Sequence, residues 1–228
     1  MIIRRLARCV LFLGAAAAPA TLGGCGMGQL LGGMMQNYEY NLLIERHPAY
    51  VGLENKTVAV VVSADLATLH EHPQLALTIA ANVSRGIRRN VPGTSVLPAA
   101  VVADWQFRTS HWEAMPYGDL AEGLKVDRVV FIDLAEYRLH PYGNQWLWEG
   151  VCAAEIGVIE RDGIDPDSYV ESFSVESLFP REKGVGRDGA NRVQIETGLL
   201  AQFIEKTVWL FYKHLEPKYP DKYRAPPA

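Results

Sequence analysis

The apolar positions of this chain fall into runs whose spacing changes from one to the next. Thr57-Val58-Ala59-Val60-Val61-Val62 is a continuous, largely β-branched run, the pattern of a strand buried on both faces. Ser63-Ala64-Asp65 follows as a loop. After Pro73, which suits a first helical turn, Leu75, Ile79, Val83 and Ile87 recur every four residues and draw one apolar stripe to about Asn90. Arg85, Arg88 and Arg89 fall in the last turns, where cations complement the helix dipole. Pro92-Gly93 turns the chain. Ser95-Val96-Leu97-Pro98 reads as a short second strand, displaced to an edge by Pro98. Residues 99–113, with Trp105, Phe107 and Trp112 near the end, and residues 119–124 read as helices.

The strongest strand pattern runs over 127–139 and is centred on Val129, Val130, Phe131, Ile132 and Leu134. His140-Pro141-Tyr142-Gly143-Asn144-Gln145 has the chemistry of a hairpin turn. Residues 146–160 return as a strand. Trp146, Trp148, Cys152, Ala154, Ile156 and Val158 fall on one face of it, Glu149 and Glu155 on the other. Arg161-Asp162-Gly163 turns again, and 169–178 alternate as a further strand with Phe173 and Val175. After a polar, glycine-bearing loop over 180–192, the stripe Leu200, Phe203, Ile204, Val208, Phe211, Leu215 predicts a long helix over 192–215. The order β-α-β-α-β-β-β-α predicts an α/β fold: a mixed sheet of about five strands flanked by helices, closed by a long C-terminal helix.

The first residues belong to a different kind of chain. Arg4, Arg5 and Arg8 precede the short apolar run 9–18, and small residues lead to Leu22-Gly23-Gly24-Cys25. A charged start, an apolar middle and a small-residue end make a secretory signal. With Leu at −3 and Gly at −1 from Cys25 it resembles bacterial lipoprotein signals; Gly23 stands where that family usually has Ala or Ser. The resemblance implies cleavage before Cys25, lipid on Cys25 and mooring at a membrane. An uncleaved membrane helix is the alternative, since 9–38 carry no charge, but seven glycines and Pro19 interrupt that run. The organisation expected is a signal peptide over 1–24, a lipidated tether over 25–50, an α/β domain over 51–216 and a frayed tail over 217–228. Leu42, Leu43 and Ile44 in the tether either dock onto the domain or form a short helix. Gly26 after the cysteine, where Asp would retain a lipoprotein at the inner membrane, points to the outer membrane and a periplasm-facing domain.

The segment at 56–62, the 75–90 helix, Leu120-Ala121-Glu122-Gly123-Leu124-Lys125-Val126-Asp127-Arg128-Val129-Val130 and the hairpin after it resemble a periplasmic lipoprotein fold. That fold is shared by curli-pore lipoproteins, penicillin-binding-protein activators and the amino-terminal domain of TolB. The resemblance covers about residues 50–216 and implies partner binding, pore assembly or transport accessory roles. It brings no catalytic residues with it. No pore-forming amphipathic hairpin is evident.

Composition narrows the partners. Apolar residues make up 49% and charged residues 21%, enough for a core. Without Arg4, Arg5 and Arg8 the 22 basic residues fall to 19 against 26 acidic, a net charge of −7 that disfavours nucleic acid. With Cys9 in the signal and Cys25 lipidated, Cys152 is a lone buried thiol.

No stretch carries a strong catalytic, metal or cofactor signature. Gly184-Val185-Gly186-Arg187-Asp188-Gly189 matches G-x-G-x-x-G but lacks the strand before it and reads as a loop. His70-Glu71-His72 lacks a third ligand. Glu149 and Glu155 sit about 20 Å apart by strand rise, too far for an acid/base couple. Asp133 is read as a partnered or strand-end carboxylate. Trp146 and Trp148 beside the hairpin tip, with Tyr142, form the candidate partner-binding set; packing into the core is the competing reading. The functional expectation is a non-enzymatic, membrane-anchored envelope lipoprotein whose domain binds partner proteins. A periplasmic ligand-binding or hydrolytic domain is the alternative, favoured by a polar pocket around Asp133 or Glu149.

Overall fold

The computed structural model describes residues 42–218. The signal, Cys25, most of the tether and the tail past residue 218 lie outside the described residues. A five-stranded mixed sheet is built from β2 (Thr57–Ala64), β3 (Ser95–Val96), β4 (Arg128–Arg138), β5 (Gly150–Glu160) and β6 (Glu171–Phe179), in the order β3-β2-β4-β5-β6. β2 lies parallel to both neighbours, and β4, β5 and β6 form an antiparallel meander. The short strand that carries Pro98 just beyond it is an edge strand, as its chemistry predicts.

Helices cover both faces. α2 (Leu75–Asn90) and α5 (Arg192–Trp209) lie over one face, where Val58, Val60, Val62, Val130, Ile132, Leu134, Cys152, Ala154, Ile156 and Val158 meet Ile79, Val83, Ile87, Leu199 and Phe203. The even positions of β5 are therefore core, as the alternation predicts. Burial pushes the Cys152 thiol up to about 12. On the other face α3 (Ala99–Arg108) and α4 (Tyr117–Leu124) cover Ala59, Val61, Val129, Phe131 and Ile159 with Val102, Leu120, Ala121 and Leu124. That second layer stops there. Asp133, Glu155, Ser172, Ser174 and Glu176 are exposed on the rest of the face.

Six elements differ from the sequence expectation. Helix α1 (Leu66–Glu71) precedes α2; Asp65 caps it by accepting from the amides of Ala67 and Thr68. The helix over 99–113 ends at Arg108, and a 3₁₀ turn follows at Trp112–Ala114 behind His111, which is left-handed at φ 58°. β5 starts at Gly150 rather than residue 146. α5 stops at Trp209 because Leu210 and Phe211 tighten into a turn, and the indole of Trp209 stacks on His214 (centroids 4.4 Å apart, planes 6°). The chain then reverses into β7 (His214–Pro217), leaving Leu215 exposed rather than in the buried stripe. β1 (Leu43–Arg46) pairs antiparallel with β7, so Leu43 and Ile44 form a strand rather than a short helix.

The arm after β1 is fastened to the domain. Tyr50 donates its amide to Leu210 O and its hydroxyl to the Glu160 carboxylate, and its ring meets Phe211 edge-on at 6.4 Å. Glu160 stands opposite Arg128 at the start of β4. Arg128, buried, is bonded to Asp162 and lies 3.4 Å from Glu160.

Candidate interaction surface

The hairpin loop between β4 and β5 carries the most exposed tryptophan and tyrosine of the described residues. Asn144 N–H returns to Pro141 O, and Gly143 takes φ 76°, which an L side chain resists. That turn puts Tyr142 at the tip. Tyr142 is 84% exposed and Trp146 77%.

Arg138 is the hub beneath the tip. Its Nε donates to Glu136 Oε1 at 2.7 Å. Nη1 donates to the carbonyls of His140 and Glu149, and Nη2 to Glu149 Oε1 at 3.0 Å. Glu136 also accepts from the Tyr142 hydroxyl at 3.0 Å, and the guanidinium lies 4.9 Å from the Tyr142 ring centroid. The Arg138 bond, then that of Tyr142, holds the Glu136 carboxyl below its ordinary pKa. The tyrosine is thus exposed yet held at both ring and hydroxyl.

Trp148 corrects the expectation of a paired tryptophan face. It is 6% exposed: its indole N–H donates to Ala190 O at 2.8 Å, and the ring stacks on His140 with centroids 4.5 Å apart. The chain at 146–148 pairs with the loop 185–187 instead of continuing β5. Trp148 N–H bonds Val185 O, and Leu147 bridges Gly186. Residues 184–189 therefore support the hairpin loop and form no strand-fed phosphate turn. Trp146 stays outside with Tyr142, while Trp148 is core.

The remaining candidates stand apart. Glu149 is committed to Arg138, Glu155 accepts from Ser172, and Asp133 is exposed. His70 lies in the last turn of α1 and His72 follows the helix; among the described residues no group of three or more His, Cys, Asp or Glu is placed to hold a metal. Cys25 lies outside the described residues. The sequence reading missed Arg138, although Glu136 and Arg138, two apart on one strand face before a Pro-Tyr-Gly-Asn turn, were a visible signal.

The loop and the N-terminal arm occupy opposite ends of the sheet. The arm is tied at Glu160, opposite Arg128, and the loop leaves β4 after Arg138. The 11 residues of β4 span about 36 Å. Among the described residues no helix is long and apolar enough to cross a membrane.

Neither the family models nor the curated proteins include a match to this chain. Among solved structures it is similar to the PelC dodecamer from Paraburkholderia phytofirmans, at 11% identity over 76% of this chain and 99% of that one, with a TM-score of 0.44. It is also similar to the lipoprotein GNA1162 from Neisseria meningitidis, at 18% identity over 67% of this chain and 92% of that one, with a TM-score of 0.40. A third similar structure is the hypothetical protein CT253 from Chlamydia trachomatis, at 13% identity over 67% and 95%, with a TM-score of 0.39.

Proposed function

We propose that this protein is a cell-envelope lipoprotein, moored through lipid on Cys25, whose α/β domain binds an envelope partner protein through Tyr142 and Trp146. The observation that carries the reading is the held, exposed Tyr142. An aromatic ring fixed before binding loses little side-chain freedom on contact, which is how such rings become anchors of interfaces. Trp146, four residues further along the same loop, adds a second exposed aromatic side chain. The loop also stands at the end of the sheet remote from the arm. Gly26 supports the outer membrane as the place of mooring.

The ligand-binding alternative has less support. Neither Asp133 nor Glu149 lines either of the two cavities described, of about 200 and 290 Å³. The reading does not call for catalysis.

The test is co-purification from membranes of the native host. The wild-type chain should retain a partner that the double variant Tyr142→Ala, Trp146→Ala loses, with both proteins equally stable because the two side chains are exposed. Cys25→Ser should move the protein out of the membrane fraction. Retention of the same partners by the double variant would refute the assignment of the surface.

A further inference from the structure

His72 sits at the joint between two helices and touches two other elements. It follows α1, which has no buried residue, and its own side chain is only 13% exposed. Its ring meets Tyr137 of β4 edge-on at 4.7 Å. Nδ1 lies 3.3 Å from Arg192 Nη2 and 3.8 Å from Glu196 Oε1, both on α5. A guanidinium can only donate, so the Arg192 contact is a hydrogen bond only while Nδ1 carries no proton. The geometry therefore belongs to the neutral ring with its hydrogen on Nε2. A second proton would set two donors and two positive charges against each other.

Pro73 and Gln74, the next two residues, line both of the cavities described. One lies under His72, Tyr137 and Glu196. The other lies between α2 and α3 and is walled by Ala76, Ala80, Ala99 and Ala103. Whatever loosens His72 loosens the wall those cavities share.

We propose that His72 is a proton-operated latch: neutral, it holds α1 and the Pro73-Gln74 turn against α5, and protonated it releases that segment and opens the groove between α2 and α3. The groups facing it are Arg192 and Glu196 from α5, Tyr137 from β4 and Glu71 from its own segment. The α2 residues at the same cavity, Leu75 and Thr78, are uncharged. Glu196 would favour the protonated ring, but it already accepts Arg192 Nε at 2.9 Å. Desolvation first, and Arg192 next, hold His72 below its ordinary value, so the latch is shut at neutral pH. The released segment has the higher, ordinary affinity for the proton. The latched form is accordingly lost as pH falls below the free-histidine value of about 6.5.

Hydrogen exchange read by mass spectrometry on the full chain in detergent tests this at about pH 7.5 and about pH 5, after correction for the intrinsic pH dependence of exchange. Amides of residues 66–76 should exchange at least about tenfold faster in acid, with β4 and β5 still protected. His72→Asn, whose amide oxygen accepts from Arg192 without titrating, should remove the response. Arg192→Met should raise exchange in the segment at the higher pH as well. Equal protection of 66–76 at both values, an acid response kept by His72→Asn, or a loosening shared equally by β4 and β5 would overturn the latch.

Discussion

The guanidinium of Arg138 lies against the ring of Tyr142, 4.9 Å from its centroid, while Glu136 binds both residues. The exposed ring and the partly buried cation are therefore one unit. Replacing the ring alone should be nearly neutral for stability. Arg138→Met should cost about 1–3 kcal/mol, since it leaves Glu149 and two carbonyls without their donor and Glu136 with the Tyr142 hydroxyl alone. Urea unfolding of the two variants checks the contrast. Equal stability would show that the hub does not organise the loop.

Gly157 is set by its neighbour across the sheet. A Cβ there would stand 2.4 Å from the ring of Tyr169, which stacks on Tyr117 at 4.5 Å and leans on Phe131. Gly157→Ala should displace that ring and destabilise by about 1–3 kcal/mol, as overpacking does. Thermal unfolding with near-ultraviolet circular dichroism should show a lower midpoint and an altered aromatic signal.

Tyr50→Phe removes one oxygen from the fastening of the N-terminal arm. Glu160 then keeps Arg128 as its near neighbour but loses the hydroxyl, at a cost of about 1–3 kcal/mol. Amides of 43–50 should lose protection before the main sheet does. Unchanged exchange in the arm would mean that β1–β7 pairing alone holds it.

The same end of the sheet should be sensitive to acid. The bond from Arg128, then that from Lys56, draws the Asp162 carboxyl down to about 2, and Thr57 lowers that of Asp127. A carboxylate depressed in the folded state contributes stability above its unfolded value of about 3.9 and loses it as pH falls towards the folded value. Stability measured in urea should drop between about pH 4 and about pH 2, and Asp162→Asn should flatten that drop.

The sheet and its order were legible because burial writes itself into spacing. The run at 57–62, the four-residue stripe of α2 and the apolar centre of β4 each fall where the pattern puts them. α1 left no such mark, having no buried residue, and only Asp65 announced it. β1 and β7 are partners about 170 positions apart, and no local pattern reports such a pairing. At 146–148 the period of two persisted past the end of the strand. A distant loop supplied the partner there, and the two tryptophans took opposite fates.

Photo-crosslinking in intact cells of the native host asks whether Tyr142 and Trp146 meet a partner. A photoreactive amino acid placed at 142, at 146 and, as a control of similar exposure, at Phe107 would be irradiated in otherwise wild-type protein. One discrete higher-mass adduct is expected from 142 and from 146, and none from 107. No adduct from the loop, or the same adduct from 107, would contradict the proposed contact.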